Sequence, residues 1–139
     1  MFSKVKVNKH ALNYFRKLAR KASPLEIQAY LAGHIISVDT VEITDFLYTK
    51  EYADQSENIV AWTSEEYTKL KDKIEKQGKT IIGDIHSHPN WDAVMSGQDY
   101  KAAITQQQVI CGICSILKGK TRVRFWTPTS ALPCKINYN

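Results

Sequence analysis

Residues 83–99, GDIHSHPNWDAVMSGQD, place two histidines one residue apart and add a proline, a serine and several carboxylates within one short stretch. The apolar pattern of residues 80–88 predicts a strand, on which side chains alternate between two faces. His86 and His88 therefore share a face, about 7 Å apart, where two imidazoles can converge on one metal ion. The opposite face is expected to hold Ile81, Gly83 and Ile85.

A third ligand has to come from beyond this strand, because Pro89 cannot extend the hydrogen-bond ladder and the backbone turns away after His88. Ser96 then precedes a short helix predicted over 97–107, and Asp99 lies in its first turn, from which the carboxylate can reach back to the strand end. Ser-x-x-Asp is also a helix-capping pattern, and taken alone capping is the simpler interpretation. The preceding histidine pair favours a ligand role for Asp99, and the two roles can coexist.

Two imidazoles and one carboxylate leave the fourth position of a tetrahedral Zn²⁺ open for water, as in hydrolytic zinc sites. Such binding lowers the pKa of water from about 15.7 toward about 7, which generates a nucleophile near neutral pH. Zinc, one ion per chain, suits this ligand set best, although iron and manganese accept similar ligands.

One motif of the sequence resembles the signature of the JAMM (MPN+) zinc metalloproteases in all its spacings. It consists of His86, Ser87 and His88, the seven residues from Pro89 to Met95, then Ser96 and, after two more residues, Asp99. The family also carries an upstream Glu within a pattern of Pro, Glu, a small residue, Leu and Gly. Residues 24–33, PLEIQAYLAG, are similar, with Ala29 where a Gly is more usual.

The resemblance implies a role for each of these residues. His86, His88 and Asp99 would hold zinc, Glu26 would act as general acid/base between the attacking water and the leaving amine, and Ser96 would hydrogen-bond the oxyanion. It also implies an α/β (α+β) fold like that of MPN domains and cytidine deaminases, with a central mixed β-sheet flanked by helices.

The activity implied by the resemblance is that of a zinc-dependent metallopeptidase or deubiquitinase-like isopeptidase. Its substrate would be a conjugate from which a ubiquitin-like or small sulfur-carrier protein is released. A peptidase acting on a cell-wall peptide or a phage tail protein is an alternative, and so is an MPN scaffold without catalytic activity, although every ligand is present. The chain resembles the minimal catalytic domains of prokaryotes and their viruses.

Four other residues in or near this motif have two interpretations each. Asp84 shares the face of His86 and either orients an imidazole or accepts a substrate N–H, or it is a solvated edge carboxylate. Trp91 either braces a bound substrate or folds onto its own domain. Cys111 and Cys114 form a CxxC motif, but on a strand they face opposite sides, which favours core cysteines over a redox or zinc site.

Length and composition are those of an ordinary globular domain. The 139 residues, 43% hydrophobic and 24% charged, predict a single domain over residues 1–139, with no linker. No stretch has the length of a membrane span and the N-terminus lacks the apolar core of a signal peptide. Three cysteines are too few for a disulfide framework. The expected location is the cytoplasm.

The net charge of +5 is concentrated at the N-terminus. Residues 1–25 hold seven Lys or Arg and no acid, whereas the rest of the chain holds twelve basic and fourteen acidic residues. A basic helix can bind nucleic acid, a membrane surface or an acidic protein partner. The scarcity of aromatics and glycines argues against nucleic acid and favours a solvated helix face or an acidic partner.

Hydrophobic periodicity predicts the remaining elements. Helices are expected over 8–22 and 63–77, the second beginning at a capping box from Thr63 to Glu66 and ending before Gly78. The predicted strands are 26–38 and 40–48, which form a hairpin, then 57–62, 80–88, 108–117 and 121–126, the last two joined by a turn at 118–120.

Overall fold

The structure is a computed structural model that describes residues 2–48 and 64–139. These residues form seven strands and three helices, which alternate along much of the chain. In chain order the elements are β1 (Lys4–Val7), α1 (Lys9–Ala22), β2 (Gln28–Ile35), β3 (Thr40–Tyr48), α2 (Ser64–Lys76), β4 (Thr80–Pro89), α3 (Gly97–Thr105), β5 (Ile110–Leu117), β6 (Lys120–Trp126) and β7 (Lys135–Tyr138).

The strands form one mixed sheet in the order β6-β5-β4-β2-β3-β1-β7. β4 runs parallel to β5, and β1 runs parallel to both β3 and β7, while β2 is antiparallel to β3 and β4. The predicted α/β (α+β) fold with a central mixed sheet flanked by helices is therefore confirmed. The strand that carries the two histidines lies in the interior of the sheet, where β2 and β5 hold it on both sides.

Helices cover both faces of the sheet. α1 begins at Asn8, whose side chain accepts a hydrogen bond from the Ala11 N–H, and it buries Leu12, Phe15 and Ala19 on one face. The opposite face is covered by α2 and α3. Their buried contacts with the sheet come from Leu70 and Ile74 of α2 and Ala103 of α3.

Most predicted elements are confirmed to within a few residues, but two strands were missed. β1 and β7 have only four residues each and become strands by pairing with each other in parallel, β1 also pairing with β3. Segments this short carry little periodic signal of their own. The strand predicted over 57–62 and the capping box at Thr63 lie outside the described residues.

A β-bulge in β4 makes one face assignment wrong. Gly83 pairs with Leu31 while Ile81 pairs with Ala32, so Ile82 is an extra residue in β4. The alternation of faces therefore shifts by one at this point, and Ile81 packs against the cluster beneath α2 instead of facing α1. Ile85 faces α1 as predicted. A strict two-residue period cannot reveal such a shift.

The three cysteines are free thiols. Cys114 belongs to the core beneath α1 and Cys111 to the cluster beneath α3, so the prediction that they face opposite sides is confirmed. Burial raises the pKa of Cys111 to about 12 and that of Cys114 to about 11. Both thiols therefore stay protonated and pack as small apolar groups.

Within residues 2–48 and 64–139, no helix has the length and apolar character needed to cross a bilayer.

Candidate metal centre and active site

β4 brings His86 and His88 to the same face of the sheet, as the alternation predicted. Their Nε2 atoms lie 3.1 Å apart, and their ring centroids 4.9 Å. The two imidazoles therefore converge through the same nitrogen, at a separation that one ion can bridge.

α3 supplies the third group through Asp99 in its first turn. Asp99 Oδ1 lies 3.2 Å from His86 Nε2, and Oδ2 lies 3.7 Å from His88 Nε2. The same carboxylate completes a capping box, because Oδ2 accepts a hydrogen bond of 2.8 Å from the Ser96 N–H. Capping thus fixes the rotamer that directs Asp99 at the imidazoles, and the two interpretations of this residue coexist.

These three side chains fit a small divalent cation. Their candidate ligand atoms all lie within 4.8 Å of one another, and they form the one such group of three or more His, Cys, Asp or Glu in the described parts of the chain. Because Zn–N and Zn–O bonds are about 2.0–2.2 Å, two ligand atoms at a tetrahedral angle lie about 3.3–3.6 Å apart. The distances between the three groups are close to this separation, so the cluster could bind a metal ion with little rearrangement.

A backbone carbonyl orients one of the imidazoles. The Nδ1 atom of His88 lies 3.2 Å from the carbonyl oxygen of Asp92, in the loop that follows β4. A proton on Nδ1 satisfies this contact and leaves the Nε2 lone pair free toward the cluster, the arrangement that metal-binding histidines use. Sequence reasoning missed this contact, because a carbonyl acceptor has no signature in the side-chain pattern.

The charges of the cluster stabilise one another. Burial by itself would raise the pKa of Asp99, but the hydrogen bonds from His86 and the Ser96 N–H outweigh it and lower this pKa to about 2. Burial also acts to lower the pKa of His86, but the hydrogen bond to Asp99 and the nearby carboxylates raise it overall. Asp99 is therefore ionised throughout the neutral range, as a ligand must be.

Glu26 lies at the edge of this cluster. In the antiparallel pair of β2 and β4, Gln28 is opposite His86, and the Ile27 carbonyl accepts a hydrogen bond of 2.9 Å from the Ser87 N–H. Glu26 precedes Gln28 by two residues. Continuing the same register therefore places Glu26 beside His88, on the same face of the sheet. Its side chain is exposed, and its charge contributes to the raised pKa of His86.

Ser87 anchors the segment that carries Glu26. It is fully buried, and its Oγ accepts a hydrogen bond of 2.9 Å from the Ile27 N–H. The sequence places Ser87 inside the histidine motif, but its function as an anchor for a residue sixty positions away depends on the pairing of β2 with β4.

Ser96 caps α3 and also contacts the ligand carboxylate. Its Oγ accepts a hydrogen bond of 3.1 Å from the Asp99 N–H, and its hydroxyl donates toward the Asp99 carboxylate, which helps to lower the pKa of Asp99. The side chain is half-buried and lies next to the ligand carboxylate. A hydroxyl donor at this place could stabilise negative charge that develops beside the cluster.

Asp84 and Trp91 lie on either side of the cluster. Asp84 accepts a hydrogen bond of 2.6 Å from Gln28 Nε2, and burial raises its pKa. This contact links the carboxylate to the residue opposite His86. The Trp91 ring is 62% exposed, with its centroid 5.8 Å from that of His88, so one side contacts the site and the rest faces solvent.

Comparisons with known proteins agree with this architecture. A model of the family described as prokaryotic homologs of the JAB domain matches residues 8–129. No curated protein matches the sequence.

Among the solved structures that share the fold are three proteins from prokaryotes. A JAB1/MPN domain protein from Archaeoglobus fulgidus has 15% sequence identity and a TM-score of 0.64, over 96% of this chain and 97% of that one. A protein from Desulfitobacterium hafniense has 22% identity and a TM-score of 0.66, over 97% and 92%. A protein from Salinibacter ruber has 18% identity and a TM-score of 0.68, over 96% and 91%.

Proposed function

The chain belongs to the family of prokaryotic homologs of the JAB domain, and from this premise we propose that it is a zinc-dependent metallopeptidase or isopeptidase that hydrolyses an amide bond. The observation that carries the proposal is the convergence of His86 Nε2, His88 Nε2 and Asp99 at distances of 3.1–3.7 Å. Three protein ligands with room for a fourth are typical of catalytic zinc.

Zn²⁺ held by these residues would lower the pKa of a bound water toward about 7 and polarise the scissile carbonyl. The protein's own residues would do the rest. His86 and His88 would offer the lone pairs of their Nε2 atoms to the metal, and ionised Asp99 would offset part of the cation's charge. Glu26, which is exposed beside His88, would take a proton from the attacking water and pass it to the leaving amine.

Ser96 would stabilise the other charge that develops in the reaction. The carbonyl oxygen becomes negative as the tetrahedral intermediate forms, and a hydroxyl donor fixed beside Asp99 can bind it. The capping bond holds the Ser96 side chain in place before the substrate arrives, so only its hydroxyl hydrogen would have to turn from Asp99 toward the oxyanion. The half-buried position of Ser96 supports this role.

The substrate that we propose is a conjugate of a ubiquitin-like or small sulfur-carrier protein, cleaved in the cytoplasm. The family resemblance supports this substrate class. An acidic partner could also bind the basic face of α1, since its exposed residues include Lys9, Lys17 and Arg20.

The test separates metal binding from catalysis. Wild-type protein, stripped of metal and reloaded with zinc, should contain about one equivalent by elemental analysis. The variants His88→Ala and Asp99→Asn should contain far less. Glu26→Gln should keep the metal yet lose hydrolysis by about 10²–10⁴-fold, because proton transfer contributes about that factor.

Activity is measured on fusions of a small ubiquitin-like protein with a reporter and on quenched fluorescent peptides, with and without chelator. A wild-type protein that binds no zinc, or binds it and cleaves none of these substrates, would refute the peptidase and favour a binding scaffold.

A further inference from the structure

We propose that Arg122 and Arg124 form a recognition site for an acidic side chain of the substrate, within about three residues of the scissile bond. This inference rests on the proposed function and names a substrate class for it.

Two rows of residues cross the sheet and connect these arginines with the candidate metal centre. One row runs from His88 on β4 to Ser115 on β5 and to Arg122 on β6. The next row runs from His86 through Ile113 to Arg124. Residues that are directly opposite each other on neighbouring strands point to the same face of a sheet.

The packing of β6 confirms this face independently. Trp126 lies in the cluster beneath α3 with Cys111 and Ile113, on the side of the histidines. Thr121, which alternation places on the other face, accepts a hydrogen bond of 2.6 Å from Arg16 of α1. Arg122 and Arg124 therefore extend from the same face as His86 and His88.

The arginines are available for a ligand. Arg122 is exposed and Arg124 is half-buried, and among residues 2–48 and 64–139 neither has a carboxylate within ion-pair distance. Lys120 continues the same alternation and is also exposed. Three cations without an ion-pair partner among the described residues thus follow one face of the edge strand β6.

The distance suits a residue near the scissile bond. Two strand spacings, about 10 Å, separate the backbones of the histidines and the arginines, which equals about three residues of an extended peptide. Ile113 between them is buried with Ala93 and Ala103, so the peptide would pass above this cluster. Guanidinium groups bind carboxylates with two parallel hydrogen bonds, a geometry that lysine lacks. On the opposite flank, on the β2 side of β4, the Glu26 carboxylate would repel an acidic residue, so the site has opposite charges on its two sides.

The experiment measures residue preference on both sides of the cut. A mixed-sequence peptide library is digested by zinc-loaded wild-type protein, and the products are sequenced by mass spectrometry. We expect Asp and Glu to be enriched at one of the three positions nearest the scissile bond, on one side of that bond. Two matched peptides, with Glu or Gln at that position, should then differ in kcat/KM by about tenfold or more, because a hydrogen bond to a charged group contributes that much.

The double variant Arg122→Gln/Arg124→Gln should bring this ratio close to one, mainly by raising KM for the Glu peptide. Lys135→Gln is the control, because it removes a positive charge from an exposed residue of β7, at the opposite edge of the sheet, and should leave the ratio unchanged. Reversing the charges, with Arg122→Glu/Arg124→Glu, should shift the preference toward a Lys peptide. Thermal unfolding of each variant verifies that it is folded.

Failure of this inference can be distinguished from failure of the proposed function. Hydrolysis with no acidic preference, or with a preference that the double variant retains, overturns the recognition site and leaves the peptidase intact. If no peptide is cleaved, the affinities of the labelled Glu and Gln peptides for zinc-loaded Glu26→Gln protein are measured by fluorescence anisotropy. Equal affinities would then overturn the recognition site, and tighter binding of the Glu peptide that is lost in the double variant would support it.

Discussion

At the scale of single residues, the candidate site depends on side chains that have two contacts each. Asp99 accepts the Ser96 N–H with one oxygen and presents the other to His86. His88 contacts the Asp92 carbonyl through Nδ1 and the cluster through Nε2. Asp99 and His88 are therefore oriented before any metal binds, which limits the entropy lost on binding.

Ser87 is the residue whose contribution is easiest to isolate. It lies between the two histidines but faces the other way, where its Oγ binds the Ile27 N–H. We predict that Ser87→Ala lowers the free energy of unfolding by about 1–3 kcal/mol, because a buried N–H loses its acceptor. Turnover should also fall, because the segment that carries Glu26 is no longer anchored. The zinc content should stay at the wild-type level.

Urea unfolding, turnover and elemental analysis measure these three effects. The matched control is Ser115→Ala, since Ser115 is also buried on the neighbouring strand but its Oγ makes only a long contact of 3.5 Å with the Arg122 carbonyl. Equal destabilisation by the two substitutions, or loss of zinc from Ser87→Ala, would show that Ser87 does not anchor the Glu26 segment.

At the scale of elements, β4 determines the site because it supplies both histidines and adjoins both β2 and β5. Gly83 lies next to the bulge, where β4 approaches β5 closely. A Cβ at this position would lie 1.6 Å from the Ile110 carbonyl oxygen, a backbone atom that cannot rotate away. Glycine is therefore required here by the close approach of two strands.

We predict that Gly83→Ala destabilises the protein by about 3 kcal/mol or more, because one of the two strands has to move. It should also weaken zinc binding, since the displaced strand carries His86 and His88. Gly97→Ala is the matched control. No atom lies within 4 Å of a Cβ at Gly97, at the start of α3, so it should change stability by less than about 0.5 kcal/mol.

Denaturant midpoints and zinc titrations of the two variants test this prediction. If Gly83→Ala unfolds at the same denaturant concentration as Gly97→Ala, then the approach of β4 to β5 at Gly83 is not close enough to require glycine.

At the scale of the whole molecule, the sheet order joins parts of the chain that are far apart in sequence. β2 brings Glu26 to one side of β4, and β6 brings Arg122 to the other side by way of β5. The helix α3 closes the site from above the same face. A metal ion bound by β4 and α3 would therefore connect a central strand to a helix.

We predict that zinc stabilises the folded protein because the three ligands converge only in that state. Free zinc at about 100 times its dissociation constant should add about 2.7 kcal/mol, which corresponds to a rise in Tm of about 5–10 °C. The measurement is thermal unfolding of chelated and reloaded protein. In His88→Ala, the difference in Tm between the chelated and the reloaded protein should disappear. A difference that persists would show that the metal binds elsewhere.

The amino-acid sequence by itself determined the local features of this protein. Periodicity located the three helices, the hairpin of β2 and β3 and the strand that bears the histidines, because each is a continuous segment with its own apolar pattern. The motif spacing identified His86, His88 and Asp99 as a cluster, since a strand, a turn and a helix N-terminus restrict where a short segment can go.

Only the tertiary structure decided the features that depend on pairing between distant segments. The strands β1 and β7 exist because they pair with each other, and Ile81 changes face because β4 has a bulge where it pairs with β2. The Asp92 carbonyl and the arginines of β6 are likewise placed by neighbouring strands and loops. Backbone hydrogen bonds between strands carry no side-chain signature, so sheet order and register cannot be read from periodicity alone.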